Sequence, residues 1–141
     1  MVVNEELKKK MLRYRWVIFG VLALAYFFVY FHRVSVAVVS SDIKAQFGVG
    51  ASSIALLSSA YFYTYTIMQL PSGLLTDSWG IKKTAGVFTF ILAIGAVLCG
   101  VATSFEMILL GRLLIGLGAA MVYIPVMKVL ALWFRKYEFA S

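Results

Sequence analysis

Four long apolar runs organise the chain, at about residues 16–39, 52–72, 84–102 and 105–134, with short polar stretches between them. A helix needs roughly 20 apolar residues to cross about 30 Å of hydrocarbon. An open chain in lipid must be helical, because nothing there satisfies unpaired backbone groups. The pattern therefore predicts an all-α, polytopic membrane protein of four transmembrane helices. The connections are short and contain Gly, Ser, Asp and Lys, so neighbouring helices run antiparallel. A basic segment, residues 1–15, precedes the first run, and residues 135–141 follow the last.

The runs differ in their polar positions. The third, "AGVFTFILAIGAVLCGVA", has almost no polar group and is expected to face lipid all round. In the second, Ser58, Tyr61, Tyr65, Gln69 and Ser72 fall within an arc of roughly 80° on a helix. In the first, Tyr26, Tyr30, Arg33, Ala37 and Ser40 share a face of similar width, and His32 sits about 100° away. Such stripes read either as the lining of a polar path or as hydrogen bonding across helix contacts.

The stretch "YFHRVSVAV", residues 30–38, puts a permanent cation inside an apolar run. Arg33 lies about 9 Å from the end of that run, within reach of a snorkelling side chain. Its shared face with Tyr26 and Tyr30 favours a different reading. The acidic residues Asp42, Asp77 and Glu106 lie at ends or in connections, so no span offers a carboxylate partner. A guanidinium without an internal anion, facing a polar cleft, is a receptor for a carboxylate or phosphate from outside, which its planar fork binds in bidentate fashion. Arg112 and Lys128 are the other cations within the spans, near opposite ends of the fourth. They lie about 160° apart on an ideal helix and so form no single site. Pro125 is placed to kink the helix between them. Gly111, Gly116, Gly118, Ala119 and Ala120 suit close approach of helix backbones.

Composition agrees with a membrane protein: 62% of the 141 residues are hydrophobic, against roughly 45–50% in soluble domains. The net charge of +7 is no nucleic-acid footprint, because its position along the chain explains it. Lys8, Lys9, Lys10, Arg13, Arg15, Lys82, Lys83, Arg135 and Lys136 flank the runs on one side, and Lys44 alone lies on the other. This positive-inside asymmetry predicts a multi-pass protein of the inner or plasma membrane with a cytoplasmic N-terminus. Trp16, Trp79 and Trp133 fall at the same cytoplasmic ends. The N-terminus resembles a signal peptide, but its apolar run is too long, and it reads as an uncleaved helix. Cys99 is the sole cysteine and reads as a small buried hydrophobe. No nucleophile–base set, metal-ligand spacing or phosphate loop is visible, so neither an enzyme nor a cofactor is expected.

The segment "GLLTDSWGIKKT", Gly73 to Thr84, resembles the signature loop of the major facilitator superfamily, with Gly73, Leu75, Asp77, Gly80 and Lys82 matching. Ser78 and Ile81 stand where that family usually has basic residues. "GRLLIGLGAA", Gly111 to Ala120, is similar to the family's fourth-helix motif, which contains Arg112, Gly116 and Gly118, with Ile115 in place of a glutamine. "FHRVSVAVVSSDI" looks most like the first helix of the organic-anion members, the anion:cation symporters and organophosphate:phosphate antiporters.

The resemblance implies the first four helices of a twelve-helix carrier with two six-helix halves around a mid-membrane site. It implies that Arg33 binds the substrate's anionic group, that helices one and four flank a central cavity, and that Asp77 meets groups from the missing C-terminal helices. On this reading Tyr30 and Tyr65 line the path with Tyr26, Tyr61 and Gln69, while Gly73, Asp77, Gly80 and Lys82 form a cytoplasmic gate. Lys128 completes the fourth-helix group, and a proton or sodium ion is the expected coupling partner. The competing expectation is a complete short chain without transport activity: a remnant, or a structural membrane subunit. A small dimeric exporter is disfavoured, since cation exporters of that size need a carboxylate within the membrane.

Overall fold

The computed structural model describes residues 5–133, with side chains for residues 13, 14 and 16–130. Five helices follow one another: α1 (Glu5–Val38), α2 (Ser40–Phe47), α3 (Ala51–Trp79), α4 (Ile81–Gly100) and α5 (Phe105–Trp133). Arg135 and Lys136, and the side chains of Lys8, Lys9, Lys10, Arg15 and Trp133, lie outside the described residues.

Trp16–Val38 of α1, Ile81–Gly100 of α4 and Phe105–Leu130 of α5 are long and apolar enough to cross a membrane. The helix α3, at 29 residues, reaches about 44 Å and is also long enough. Its Ser, Thr, Tyr and Gln keep it below the same threshold of composition, so three spans rather than four meet both criteria.

Two connections expected from the sequence are themselves helical. Residues 40–47, between the first two runs, form α2, which ends on Gly48 in the left-handed conformation (φ +63°). The second helix does not stop at Ser72. It continues past Pro71 to Trp79, so the signature segment is helical up to Gly80. The whole turn into α4 is made at Gly80 (φ +83°, ψ 153°), a conformation that only glycine adopts without strain. Across that turn the buried Thr84 hydroxyl donates to the Leu75 carbonyl at 3.2 Å, tying the start of α4 to the last turns of α3.

At the centre of the bundle is α5. Of its most apolar window 56% is buried, against 6% for α1. It runs antiparallel to α4 and parallel to α3, and both pack on it through glycines. A Cβ on Gly95 of α4 would lie 2.7 Å from the Gly111 carbonyl oxygen, and one on Gly118 would lie 2.6 Å from that of Phe88. A Cβ on Gly116 would lie 2.5 Å from the Tyr61 carbonyl of α3. Lipid tails give helices no hydrophobic reason to associate, so this close approach supplies the attraction through dispersion.

The expectation that the third run faces lipid all round is therefore corrected. Phe88, Leu92 and Gly95 of α4 are buried against α5, because the glycines of α5 open a groove for that face. Val29, Tyr61, Leu92, Ile115, Ala119, Val122 and Val126 form the main core, in which four of the seven come from α5.

Candidate functional site

Polar groups gather at both ends of the bundle and on one open face between them. At the end shared by α1, α4 and α5, Arg112 is almost wholly buried. Its Nη1 donates to the His32 carbonyl of α1 at 2.7 Å, with the Ser35 hydroxyl at 3.5 Å. Its guanidinium carbon lies 5.0 Å from the centre of the Tyr61 ring of α3. One side chain therefore joins three helices: α5 carries it, α1 accepts from it, and α3 stacks on it. Its Nε is buried with no hydrogen-bond partner among the described residues. His32, Ser35, Val36, Cys99, Ile108 and Arg112 are among the residues lining a pocket of about 190 Å³ there.

The open face belongs to α1. Its buried stripe, with Val29, Val36 and the half-buried His32, turns toward α5, which leaves Tyr26, Tyr30 and Arg33 exposed on the flank beside it. The Arg33 guanidinium carbon is 5.9 Å from the Tyr30 ring centre and 5.1 Å from that of Phe62 on α3. No ion pair holds Arg33 among the described residues. Tyr26 stacks obliquely on Tyr30 at 5.6 Å and on Tyr123 of α5 at 6.0 Å. Tyr26 and Tyr123 border an apolar groove of about 320 Å³ between α1 and α5.

At the far end Asp77 of α3 forms a salt bridge with Lys128 of α5. Lys128 and Arg112 are 16 residues apart, about 24 Å along α5; both meet α3, but only Arg112 also reaches α1. Lys82 is exposed on the first turn of α4, and the Lys83 ammonium lies 5.3 Å over the Trp79 ring.

The residues expected to line a path divide between two environments. Tyr26, Tyr30, Arg33 and Gln69 are exposed, and Tyr65 is half-buried, stacked on Tyr61 at 5.9 Å. Tyr61 itself is 1% exposed, so it lines nothing open; it is a core residue beneath Arg112. Ser72 is likewise buried and donates to the Ala120 carbonyl of α5 at 3.4 Å. The polar stripe of the second run thus turns partly into the contact with α5, where glycine and alanine leave room for it. Of the gate residues, Gly73 and Gly80 belong to the end of α3 and its turn. Asp77 meets Lys128 of this same chain, and no ion pair joins it to Lys82 among the described residues.

Phe62 and Tyr123 are the neighbours that sequence reasoning missed. Tyr123 carried a signal, a hydroxyl-bearing ring in the apolar half of the last run. Phe62 carried none, since an apolar ring in an apolar run looks like any other. Among the described residues no three metal-ligating side chains cluster.

The family profile described as Major Facilitator Superfamily matches residues 22–141. A protein of Cupriavidus necator named as a probable sulfoacetate transporter is 30% identical over 125 residues, covering 89% of this chain and 29% of its own. An uncharacterized transporter of Bacillus subtilis is 32% identical, covering 97% of this chain and 32% of its own. A probable galactarate/D-glucarate transporter of Pseudomonas putida is 30% identical, covering 92% and 30%. The chain thus spans about a third of the length of the curated relatives it matches. No solved structure matches it significantly.

Proposed function

The chain belongs to the Major Facilitator Superfamily, a family of multi-pass membrane transporters, and we propose that it is the N-terminal part of a secondary active transporter for a small organic anion, a carboxylate or phosphate ester. The observation that carries this reading is Arg33. It is a permanent cation within an apolar helix, on an open face with Tyr26 and Tyr30, and without a carboxylate partner among the described residues. A guanidinium there binds an anion through in-plane N–H donors. The names of two relatives, for sulfoacetate and for galactarate or D-glucarate, support the same substrate class.

In this reading Arg33 holds the anionic group, and Tyr26, Tyr30, Tyr65 and Gln69 line the path on helices that we count as the first two of four spans, with α3 as the second. Missing C-terminal helices complete the site, and the two halves rock about it. Asp77, with Gly73, Gly80, Lys82 and now Lys128, belongs to a cytoplasmic gate. Gly116 and Gly118 hold the half together, and Arg112 fixes α1 beside Arg33. The N-terminus is cytoplasmic, the membrane is the inner or plasma membrane, and a proton or sodium ion drives uptake.

Uptake of radiolabelled sulfoacetate, D-glucarate and glucose 6-phosphate, with glucose as the neutral control, tests this in cells expressing the full-length protein. Accumulation of at least one anion, competed by unlabelled anion and not by glucose, supports the reading. Transport of the neutral sugar alone contradicts it.

A further inference from the structure

We propose that Phe62 is a positioning residue for Arg33, holding the guanidinium at depth by cation–π contact and leaving its in-plane donors free for an anion. The proposal rests on the reading of Arg33 as the anion receptor. Two rings lie near the cation. Tyr30 belongs to α1 itself and moves with Arg33, whereas Phe62 belongs to α3, so it alone of the two rings fixes the cation against a second helix.

Phe62 is in turn fixed from behind. Its ring meets that of Tyr61 edge-on, with centroids 5.3 Å apart and planes at 82°. Tyr61 is seated in the core under the Arg112 guanidinium. Arg112 then returns to α1 at the His32 carbonyl, one residue before Arg33. The sequence of contacts Arg33–Phe62–Tyr61–Arg112–His32 closes on itself across α1, α3 and α5. It holds the backbone of Arg33 at one point and its side chain at another.

A flexible arginine about 9 Å from the end of an apolar run would otherwise extend toward headgroups. Ring contact stabilises it in place. The guanidinium carbon lies 5.1 Å from the Phe62 ring centre, and a ring stacked on the face of a guanidinium leaves its in-plane edge free for bidentate binding.

Phe62→Leu removes the π face and keeps an apolar side chain; Phe62→Tyr keeps the face. In the full-length protein, Phe62→Leu is expected to raise the KM for sulfoacetate by about threefold to tenfold while Vmax stays within about twofold, and Phe62→Tyr to restore it. A second readout needs no transport: phenylglyoxal modification of Arg33 in membranes, followed by peptide mass spectrometry. The uncovered guanidinium in Phe62→Leu should react about threefold faster or more, and that in Phe62→Tyr at the wild-type rate. Wild-type or slower labelling of Phe62→Leu overturns the proposal. Failure of the anion reading is separate: Arg33→Lys would then transport like wild type, and the labelling rates would still decide the role of Phe62.

Discussion

Arg112 of α5 donates from Nη1 to the carbonyl oxygen of His32 in α1 at 2.7 Å, a bond between residues 80 positions apart. The acceptor is a backbone group one residue before Arg33. The Ser35 hydroxyl donates to the same oxygen at 3.0 Å. The central helix of the bundle thereby holds the first helix beside the residue to which we assign substrate binding.

Arg112 is expected to serve function more than stability. It is a buried cation with no carboxylate partner among the described residues and with an orphaned Nε. Burying such a charge costs several kcal/mol, and an apolar side chain of similar volume avoids that cost. The His32 carbonyl keeps the Ser35 hydroxyl if Arg112 is removed. Arg112→Met should therefore leave the Tm of the purified protein unchanged or raised while lowering uptake about tenfold or more. A Tm fall of about 5 °C or more would contradict this.

The Asp77–Lys128 pair ties the end of α3 to α5. Both side chains are partly exposed, so the pair adds little to stability. Its place next to the α3–α4 turn suits a conformational role. Asp77→Lys and Lys128→Asp should each lower the uptake rate about tenfold with protein levels unchanged, and the charge-swapped double variant should recover a large part of it. A double variant no better than either single one would show that the pairing is incidental.

Glycine substitutions should sort by what a Cβ would meet. At Gly116 it would lie 2.5 Å from a backbone oxygen of α3, which has no flexible end to yield. Gly116→Ala should destabilise the protein by about 1–3 kcal/mol, read as a lower Tm in detergent. At Gly86 a Cβ meets nothing within 4 Å, so Gly86→Ala should be neutral or stabilising by up to about 1 kcal/mol. Equal Tm changes at the two positions would refute the packing account.

The contrast between these glycines was half legible in the sequence. The small-residue cluster of the last run announced close helix contact, and the glycines of α5 make it. Which glycine meets which helix was not legible, because that depends on rotation about the helix axis. The same ignorance of rotation misplaced Tyr61: periodicity put it on a polar stripe, but the stripe's buried part turns toward α5. Helix ends were misjudged at Ser72 because Gly73–Trp79 is polar enough to read as a loop. Hydropathy reports the loss of apolar character; it does not report the loss of helical hydrogen bonds, which continue to Trp79. The Arg33 face, by contrast, was readable from spacing alone, and Tyr26, Tyr30 and Arg33 do lie together outside the packed stripe. The contact with Phe62 was not readable, since it depends on the placement of a second helix.

The most direct test of the central claim is the KM for anion uptake by the Arg33→Lys variant of the full-length protein, measured beside wild type. Lysine keeps the charge and loses the planar two-pronged donor set. The account predicts a KM higher by about tenfold or more, with normal amounts of protein in the membrane. A KM equal to that of wild type would contradict it and remove Arg33 from the site.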